Sequence, residues 1–434
     1  MKTAAFHTLG CKVNTYDTES MMELFEKAGY EIVDFNGESD VYIINTCTVT
    51  NVGERKSRQM IRKAKRVNPN AVVAVTGCYA QTSPEELKEI PEINLIVGNQ
   101  DRHRIVELVE KVKHNGQNIN IVQDIMKVRE YEELKITKVK DHARAFIKIQ
   151  EGCNNFCSYC IIPYARGPVR SRSLENILEE AQKVAEQGYK EIVLTGINVT
   201  SYGKELENAS LFDVLKGLNE IENIERIRLG SLEPMLLDTP FIESLKNITK
   251  LCDHFHLSLQ SGSDKVLKKM NRKYDTKTYK TIIDSIRKIF PVASLTTDVM
   301  VGFPGETEEN FRESYDFIQQ IGFSKLHVFK YSKRKGTAAA RMIDQIPEGI
   351  KEERSKEMIQ LSNKLEKEYN NQFLGKKLEV LIEQNLKEDY NSFQGHTTNY
   401  ILVKVQNKLN IINKTVPVEV VDVQADYVNG ILIE

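Results

Sequence analysis

The chain has 434 residues, with 60 Lys and Arg against 61 Asp and Glu, and a formal net charge of −1. That balance excludes a global polyanion-binding surface, so any nucleic-acid site must be local; the length allows two or three domains, each with its own core. There is no run of about 18 apolar residues. Met1-Lys2-Thr3-Ala4-Ala5-Phe6 also lacks the apolar centre of a secretion signal, so a cytoplasmic protein with no membrane attachment is expected. Seven cysteines in that setting point to reduced, metal-binding or catalytic thiols and not to disulfides.

Residues 1–125 alternate strand and helix patterns. Ala4–Leu9 runs into Gly10-Cys11, Val41–Ile44 into Asn45-Thr46-Cys47, and Ala71–Val75 into Thr76-Gly77-Cys78. The intervening stretches 16–28 and 52–67 read as amphipathic helices. Such alternation implies parallel strands with right-handed crossovers, so all three strand ends point the same way, where open α/β sheets place their ligands. The cysteines are 36 and 31 residues apart, about one crossover unit each. A single cysteine of this kind is most often a buried structural residue. Three at equivalent strand ends favour a shared cluster with three protein thiolates. The second helix carries Arg55, Lys56, Arg58, Arg62, Lys63, Lys65 and Arg66 against one acid, Glu54. Arg55, Arg58 and Arg62 share a face, which next to a cluster ligand suits a phosphate backbone better than a plain solvated surface.

The densely charged stretch 126–142 lacks periodicity and is expected to be a linker, with a boundary near residue 140. Strand and helix patterns resume over 143–370. Ala145–Ile149 leads into Gly152-Cys153-Asn154-Asn155-Phe156-Cys157-Ser158-Tyr159-Cys160, a C-x₃-C-x₂-C loop. Three thiolates on one loop can hold three corners of a cubic iron–sulfur cluster and leave one iron open. Structural zinc is the alternative, but zinc ordinarily takes a fourth protein ligand, and no histidine follows at ligand spacing. Five more strand patterns follow, at 191–194, 227–229, 255–259, 297–301 and 326–329, making six units where a closed barrel has eight.

The cysteine loop resembles the signature of the radical S-adenosylmethionine (SAM) enzymes. With Thr8-Leu9-Gly10-Cys11-Lys12-Val13-Asn14, Asn45-Thr46-Cys47-Thr48-Val49-Thr50-Asn51 and Gly77-Cys78-Tyr79-Ala80-Gln81, the whole chain resembles the radical-SAM methylthiotransferases. The resemblance implies an α/β fold: an open parallel N-terminal domain, a central partial (βα)₆ barrel, and a small C-terminal β-barrel. It implies two [4Fe-4S] clusters, one on Cys153, Cys157 and Cys160 that binds SAM and cleaves it to a 5′-deoxyadenosyl radical. An auxiliary cluster would sit on Cys11, Cys47 and Cys78. The expected partners are a tRNA anticodon stem-loop, an electron donor such as flavodoxin or ferredoxin, and a sulfur source.

Polar and glycine residues collect at the ends of the later strands, where such folds keep their sites. Gly196 lets backbone approach a ligand, and Asn198 offers both donor and acceptor. By the resemblance, Ser231 and Glu233 would bond ribose hydroxyls. Gln260 and Ser261 suit adenosine or methionine atoms. Gly302 permits a tight turn near the adenine, and Arg272 can pair with the SAM carboxylate or form a surface ion pair. The alternative for each is ordinary turn chemistry. After the sixth strand, Phe329–Thr337 holds Lys330, Lys333, Arg334 and Lys335 with two aromatics, a composition suited to an RNA backbone and a splayed base.

Residues 371–434 show short strand patterns consistent with a five-stranded antiparallel barrel. The resemblance makes this a TRAM domain that recognises substrate, although its six lysines and eight acids give no basic field. Members of this family modify threonylcarbamoyladenosine, isopentenyladenosine or a ribosomal-protein aspartate. Cys11–Asn14 with Thr48–Arg58 looks most like the threonylcarbamoyladenosine branch. From another class, the rival is a non-catalytic iron–sulfur RNA-binding protein.

Overall fold

A computed structural model describes residues 1–136, 143–386 and 389–433. The first region is a parallel sheet of β1 (Lys2–Thr8), β2 (Tyr30–Val33), β3 (Val41–Thr46), β4 (Val72–Gly77), β5 (Leu95–Ile96) and β6 (Ile119–Asn120), in the order β2-β1-β3-β4-β5-β6. β3 and β4 are buried along their whole length, as their unbroken apolar runs require of strands covered on both faces. Helix α1 (Lys12–Lys27) starts one residue after Cys11. Helix α2 (Asn51–Val67) starts at the cap Thr50, whose hydroxyl accepts from the Gly53 N–H at 3.1 Å. The short α3 (Cys78–Thr82) opens on Cys78 itself.

The register places Thr8 beside Asn45 and Thr46 beside Gly77. The three cysteines therefore follow neighbouring strand ends, as alternating β and α elements dictate. The stretch 126–136 is not a free tether. Leu134 and Ile136 are buried there, and Glu132 is drawn into an ionic cluster between the first and second regions. The remainder of the expected linker, 137–142, lies outside the described residues.

In the second region, β7 (Arg144–Lys148) precedes the cysteine loop, which is pinned by the short pair β8 (Gln150–Glu151) and β9 (Arg170–Ser171). Then come β10 (Glu191–Thr195), β11 (Arg226–Leu229), β12 (His254–His256), β13 (Ser294–Val301) and β14 (Lys325–Lys330). β7, β10 and β11 form one parallel sheet and β12, β13 and β14 another; isolated bridges Ile227–Leu251 and Leu232–Leu257 join them. The six strands thus stand in chain order around a partial barrel. Outward residues such as Ile147, Ile192, Ile227 and Leu295 form the core beneath the helices. Cys252 is fully buried just before β12, at the end of the barrel opposite the cysteine loop.

The third region is a closed barrel, β15 (Lys377–Leu386), β16 (Asp389–Thr397), β17 (Leu402–Gln406), β18 (Thr415–Val423) and β19 (Val428–Leu432), ordered β15-β16-β17-β19-β18. The expected barrel is present, but it is not wholly antiparallel: β19 closes it by running parallel to β17. The long connection after β17 carries the chain across to pair β18 with β15, and the β18–β19 hairpin then brings β19 back beside β17. β16 escaped the sequence pattern because it is mostly polar. Its Gly395 lies so close to β15 that a Cβ there would come within 2.0 Å of the Leu381 carbonyl.

Candidate active site

The cysteine loop is built by backbone clamps. Gly152 has φ +77°, and a Cβ there would overlap the Pro168 carbonyl oxygen at 1.8 Å, so only glycine permits this crossing. The Ser158 N–H donates to the Met270 carbonyl at 2.9 Å, its hydroxyl to the Lys269 carbonyl at 2.8 Å, and the Asn271 amide to the Phe156 carbonyl at 3.0 Å. Arg272, one residue further on, donates to Cys157 Sγ at 3.2 Å and holds the Glu233 carboxylate at 2.7 and 2.8 Å. Glu233 also accepts from Asn155 within the loop at 3.1 Å. Three residues singled out in the sequence, Cys157, Glu233 and Arg272, thus form one contact chain.

The strand-end thiols have a parallel arrangement. Gly10, at φ +110°, sits against Cys47; a Cβ on it would lie 3.2 Å from the Cys47 Sγ. Cys47 Sγ accepts from the Val49 N–H at 3.5 Å, and Cys78 Sγ from Arg166 Nε at 3.3 Å and Asn99 at 3.8 Å. Cys11 is exposed, while Cys47 and Cys78 are buried. Although solvent reaches it, Cys11 is ringed by protein, and the loss of solvation raises its pKa. Burial lifts Cys47 and Cys153 to about 11 and Cys160 to about 12, so a bound cation must displace their protons. Among the described residues no three His, Cys, Asp or Glu side chains are gathered tightly enough for a single metal ion. A cubic cluster spreads its thiolates wider than one zinc ion does. Three thiols on one short loop with a guanidinium on one sulfur fit such a cluster, and the strand-end set matches that donor pattern.

Between the two sets lies a feature the sequence did not disclose. Arg166 closes the short helix Ile162–Arg166, which follows Cys160 almost directly. Besides Cys78 it pairs with Asp17 at 2.9 Å, with Glu151 and with Asn14. Lys148 binds Asp17 at 2.5 Å and Glu151 at 3.2 Å. Arg102 pairs with Asp17 and reaches Glu132 at 2.8 Å and Glu151 at 3.4 Å. Three cations and three carboxylates, all essentially without solvent exposure, thus neutralise one another. Burial disfavours the charged Asp17 and Glu151, but Arg102, Lys148 and Arg166 outweigh it and hold both carboxyls below their ordinary values. The trace in the sequence was faint: the buried face of α1 starts polar, with Asn14, Asp17 and Thr18, before turning apolar at Met21 and Phe25.

The other sequence candidates divide. Asn198 sits behind the loop, its N–H donating to Gln150 Oε1 at 2.8 Å, and Gly196 closes on the same Gln150. Ser231 is half-buried two residues before Glu233. Gln260 adopts a left-handed φ of 71° while its backbone spans Asp298 and Met300. Ser261 is buried, and its hydroxyl accepts from the Ser263 N–H. Gly302 makes the expected turn at φ +71°; its close approach is to Lys351, whose Cγ a Cβ would meet at 2.3 Å, and its N–H goes to Glu306.

Arg334 is a correction. It is only 5% exposed and bonds Glu54 and Asn51, each at 2.6 Å, so it ties its loop to the start of α2 and has no charge to offer phosphate. Lys330 is exposed and pairs with Glu352 at 2.8 Å; Lys333 is exposed. Of the loop's aromatics, Phe329 is half exposed and Tyr331 is buried against Phe303. On α2, Arg55, Arg58, Arg62 and Lys65 do share a concave surface, of about 630 Å³, and Arg58 donates to the hydroxyl of Tyr79, the neighbour of Cys78.

Six parallel strands with a three-cysteine loop after the first define a radical-SAM protein, and residues 147–318 match the Radical SAM superfamily. Residues 3–98 match the Uncharacterized protein family UPF0004. Over 99% of its length and 96% of the relative, the chain is 48% identical to the threonylcarbamoyladenosine tRNA methylthiotransferase MtaB of Bacillus subtilis (strain 168). A protein of the same name from Aquifex aeolicus (strain VF5) is 42% identical, over 89% of this chain and 95% of that one. The tRNA-2-methylthio-N(6)-dimethylallyladenosine synthase of Thermoanaerobacter sp. (strain X514) is 38% identical, over 98% and 92%. The chain belongs to the radical-SAM methylthiotransferase family, whose chemistry uses a [4Fe-4S] cluster and SAM. Among solved structures, the radical SAM methyltransferase TsrM from Kitasatospora setae shares the fold, with a TM-score of 0.59 at 15% identity over 78% of this chain and 77% of that one.

Proposed function

We propose that this protein inserts a methylthio group at C2 of N6-threonylcarbamoyladenosine next to the tRNA anticodon. The relatives from Bacillus subtilis and Aquifex aeolicus carry that substrate in their names. The observation that bears most weight is the link between the two thiol sets: Arg166 touches Cys78 and also Glu151, two residues before Cys153. In this reading Cys153, Cys157 and Cys160 hold the SAM cluster, and Cys11, Cys47 and Cys78 hold a second four-iron cluster. When bound, the clusters and SAM supply the radical and sulfur chemistry that an unactivated adenine C2–H demands.

The chain's own groups do the holding. Arg272 steadies Cys157 and the Glu233 carboxylate at the rim where SAM binds, with Ser231, Gln260 and Ser261 on neighbouring strand ends. Asn198 and Gly196 support the loop from behind through Gln150. Arg55, Arg58 and Arg62 take RNA phosphates, joined by Lys330 and Lys333, and Phe329 offers a ring for a base. The C-terminal barrel serves as the TRAM domain. The regions would divide as 1–125, the linker 126–142, 143–370 and 371–434. The setting is the cytoplasm, where a carrier such as flavodoxin or ferredoxin delivers electrons and a separate donor delivers sulfur; among the described residues no helix is long and apolar enough to cross a membrane.

Nucleoside mass spectrometry of tRNA from a strain lacking the gene tests this. The methylthio mark should vanish from threonylcarbamoyladenosine and stay on isopentenyladenosine; an unchanged profile would overturn the assignment.

A further inference from the structure

Strand alternation turns one set of side chains in each barrel strand toward the interior. Phe146, His256 and Asp298 are only half-buried there, and His327 is exposed, although their strands form the centre of the fold. They therefore face a solvent-containing chamber. The C-terminal barrel covers its far end: Arg226 and Arg228 donate to the carbonyls of His396, Thr397 and Thr398, and the Tyr400 ring stacks between His254 and His396 at 4.5 Å from each.

Lys12, which follows Cys11 at the start of α1, reaches this chamber from the first region and is itself exposed. Its ammonium lies 5.6 Å from the Phe146 ring centroid. It is within electrostatic reach of Tyr400, Arg144, Arg228 and Glu191, and also of His254 and His327, so it stands among side chains from strands all around the barrel. The chamber's other cations are committed. Arg228 holds Glu191 at 2.7 Å, Arg144 holds Glu383 at 3.0 Å, and Arg226 is spent on carbonyls. His256 faces Asp298 at 3.3 Å. Among the described residues Lys12 has no carboxylate within ion-pair distance, and its near neighbours include two arginines. Lys12 is exposed, and an ammonium open to the chamber's solvent with no ion-pair partner can receive an anionic group.

We infer that Lys12 is a specificity-determining residue, and that its ammonium receives the carboxylate at the end of the substrate's N6 substituent. This deepens the proposed function and rests on it. A threonylcarbamoyl group ends in a carboxylate, whereas a dimethylallyl group is apolar and, on covering Lys12, would strip its water without giving it a partner. Discrimination by a charged group left unpaired once substrate covers it is stronger than discrimination by fit alone. Phe146, under the ammonium, offers an apolar wall for the stem of the substituent.

The test is equilibrium binding of synthetic anticodon stem-loops to the anaerobically loaded protein. Three RNAs are compared: one with N6-threonylcarbamoyladenosine, one with its methyl ester, which keeps the shape and removes the charge, and one with isopentenyladenosine. Wild type should prefer the acid to the ester by about 10- to 100-fold, as for a charge-assisted contact. Lys12→Met should bring that ratio to about one, and Lys12→Arg should keep most of it. Iron content and visible absorption, read on each variant, confirm equal loading. If wild type prefers the acid and Lys12→Met keeps the full ratio, the inference falls while the substrate reading stands. If Lys12→Met weakens acid and ester alike, Lys12 has only a general role and the inference also falls. If wild type favours the isopentenyl stem-loop, the substrate reading itself fails and this inference with it.

Discussion

The two thiol sets differ in how the chain makes them and agree in how it dresses them. Cys153, Cys157 and Cys160 lie within eight residues of one loop, so local backbone geometry suffices to gather them. Cys11, Cys47 and Cys78 meet only because three parallel strands end side by side. Yet each set has one sulfur that accepts from a guanidinium, Cys157 from Arg272 and Cys78 from Arg166, and each guanidinium is steered by carboxylate. The commitment is unequal. Arg272 leans on a single acid at the rim, whereas Arg166 is locked into a buried network of six charges that joins the first region to the second. The local site can adjust around a ligand. The assembled site cannot move without disturbing the interface that creates it.

The largest expected effect separates the sets chemically. Cys153→Ala and Cys47→Ala should each cut bound iron from about eight to about four per chain after reconstitution, as expected for two four-iron clusters. Only Cys153→Ala should abolish release of 5′-deoxyadenosine from SAM; Cys47→Ala should retain it and lose methylthio transfer. Iron near four in the wild-type protein would remove the second cluster from the scheme.

A smaller effect concerns the two guanidinium groups. Arg166→Met leaves Asp17, Glu151 and Glu132 with only Lys148 and Arg102, one uncompensated negative charge in a site with no solvent, and breaking a buried ion pair on one side costs about 3–5 kcal/mol. Arg272→Met frees Glu233, a carboxyl that burial already lifts above its usual range despite Arg272, so protonation can relieve it cheaply. Denaturant unfolding of the two metal-free variants should therefore show the larger loss for Arg166→Met, and equal losses would mean that the network is no tighter than the rim pair.

What the sequence made legible follows from the same contrast. The cysteine loop was readable because its cysteines lie close together in the chain. The strand-end set was readable because βα alternation fixes where strand ends point, so topology could stand in for coordinates. The ionic network was not: Asp17, Arg102, Glu132, Lys148, Glu151 and Arg166 come from separate elements with no shared spacing, and charged residues are ordinarily assigned to the surface. Arg334 misled for that reason. Four cations in six residues look like an RNA patch, but the distant partners Glu54 and Asn51 that bury one of them are invisible in a local window. In β16 the pattern failed because, among its described side chains, only Phe393 turns a large apolar group into the core.

The smallest expected effect tests that correction. Arg62 lies on the open concave face of α2, so Arg62→Ala should weaken tRNA binding and lower the slope of log affinity against log salt by about one, the signature of one lost phosphate contact. Arg334→Ala removes a charge already neutralised by Glu54 and should leave that slope unchanged. Its cost should appear as stability, about 1 kcal/mol or a few degrees in Tm, because the loop after β14 loses its hold on the helix that follows Cys47. A slope lowered by Arg334→Ala as much as by Arg62→Ala would return Arg334 to the RNA surface. It would also mean that the strap between the second region and the strand-end site opens when RNA binds.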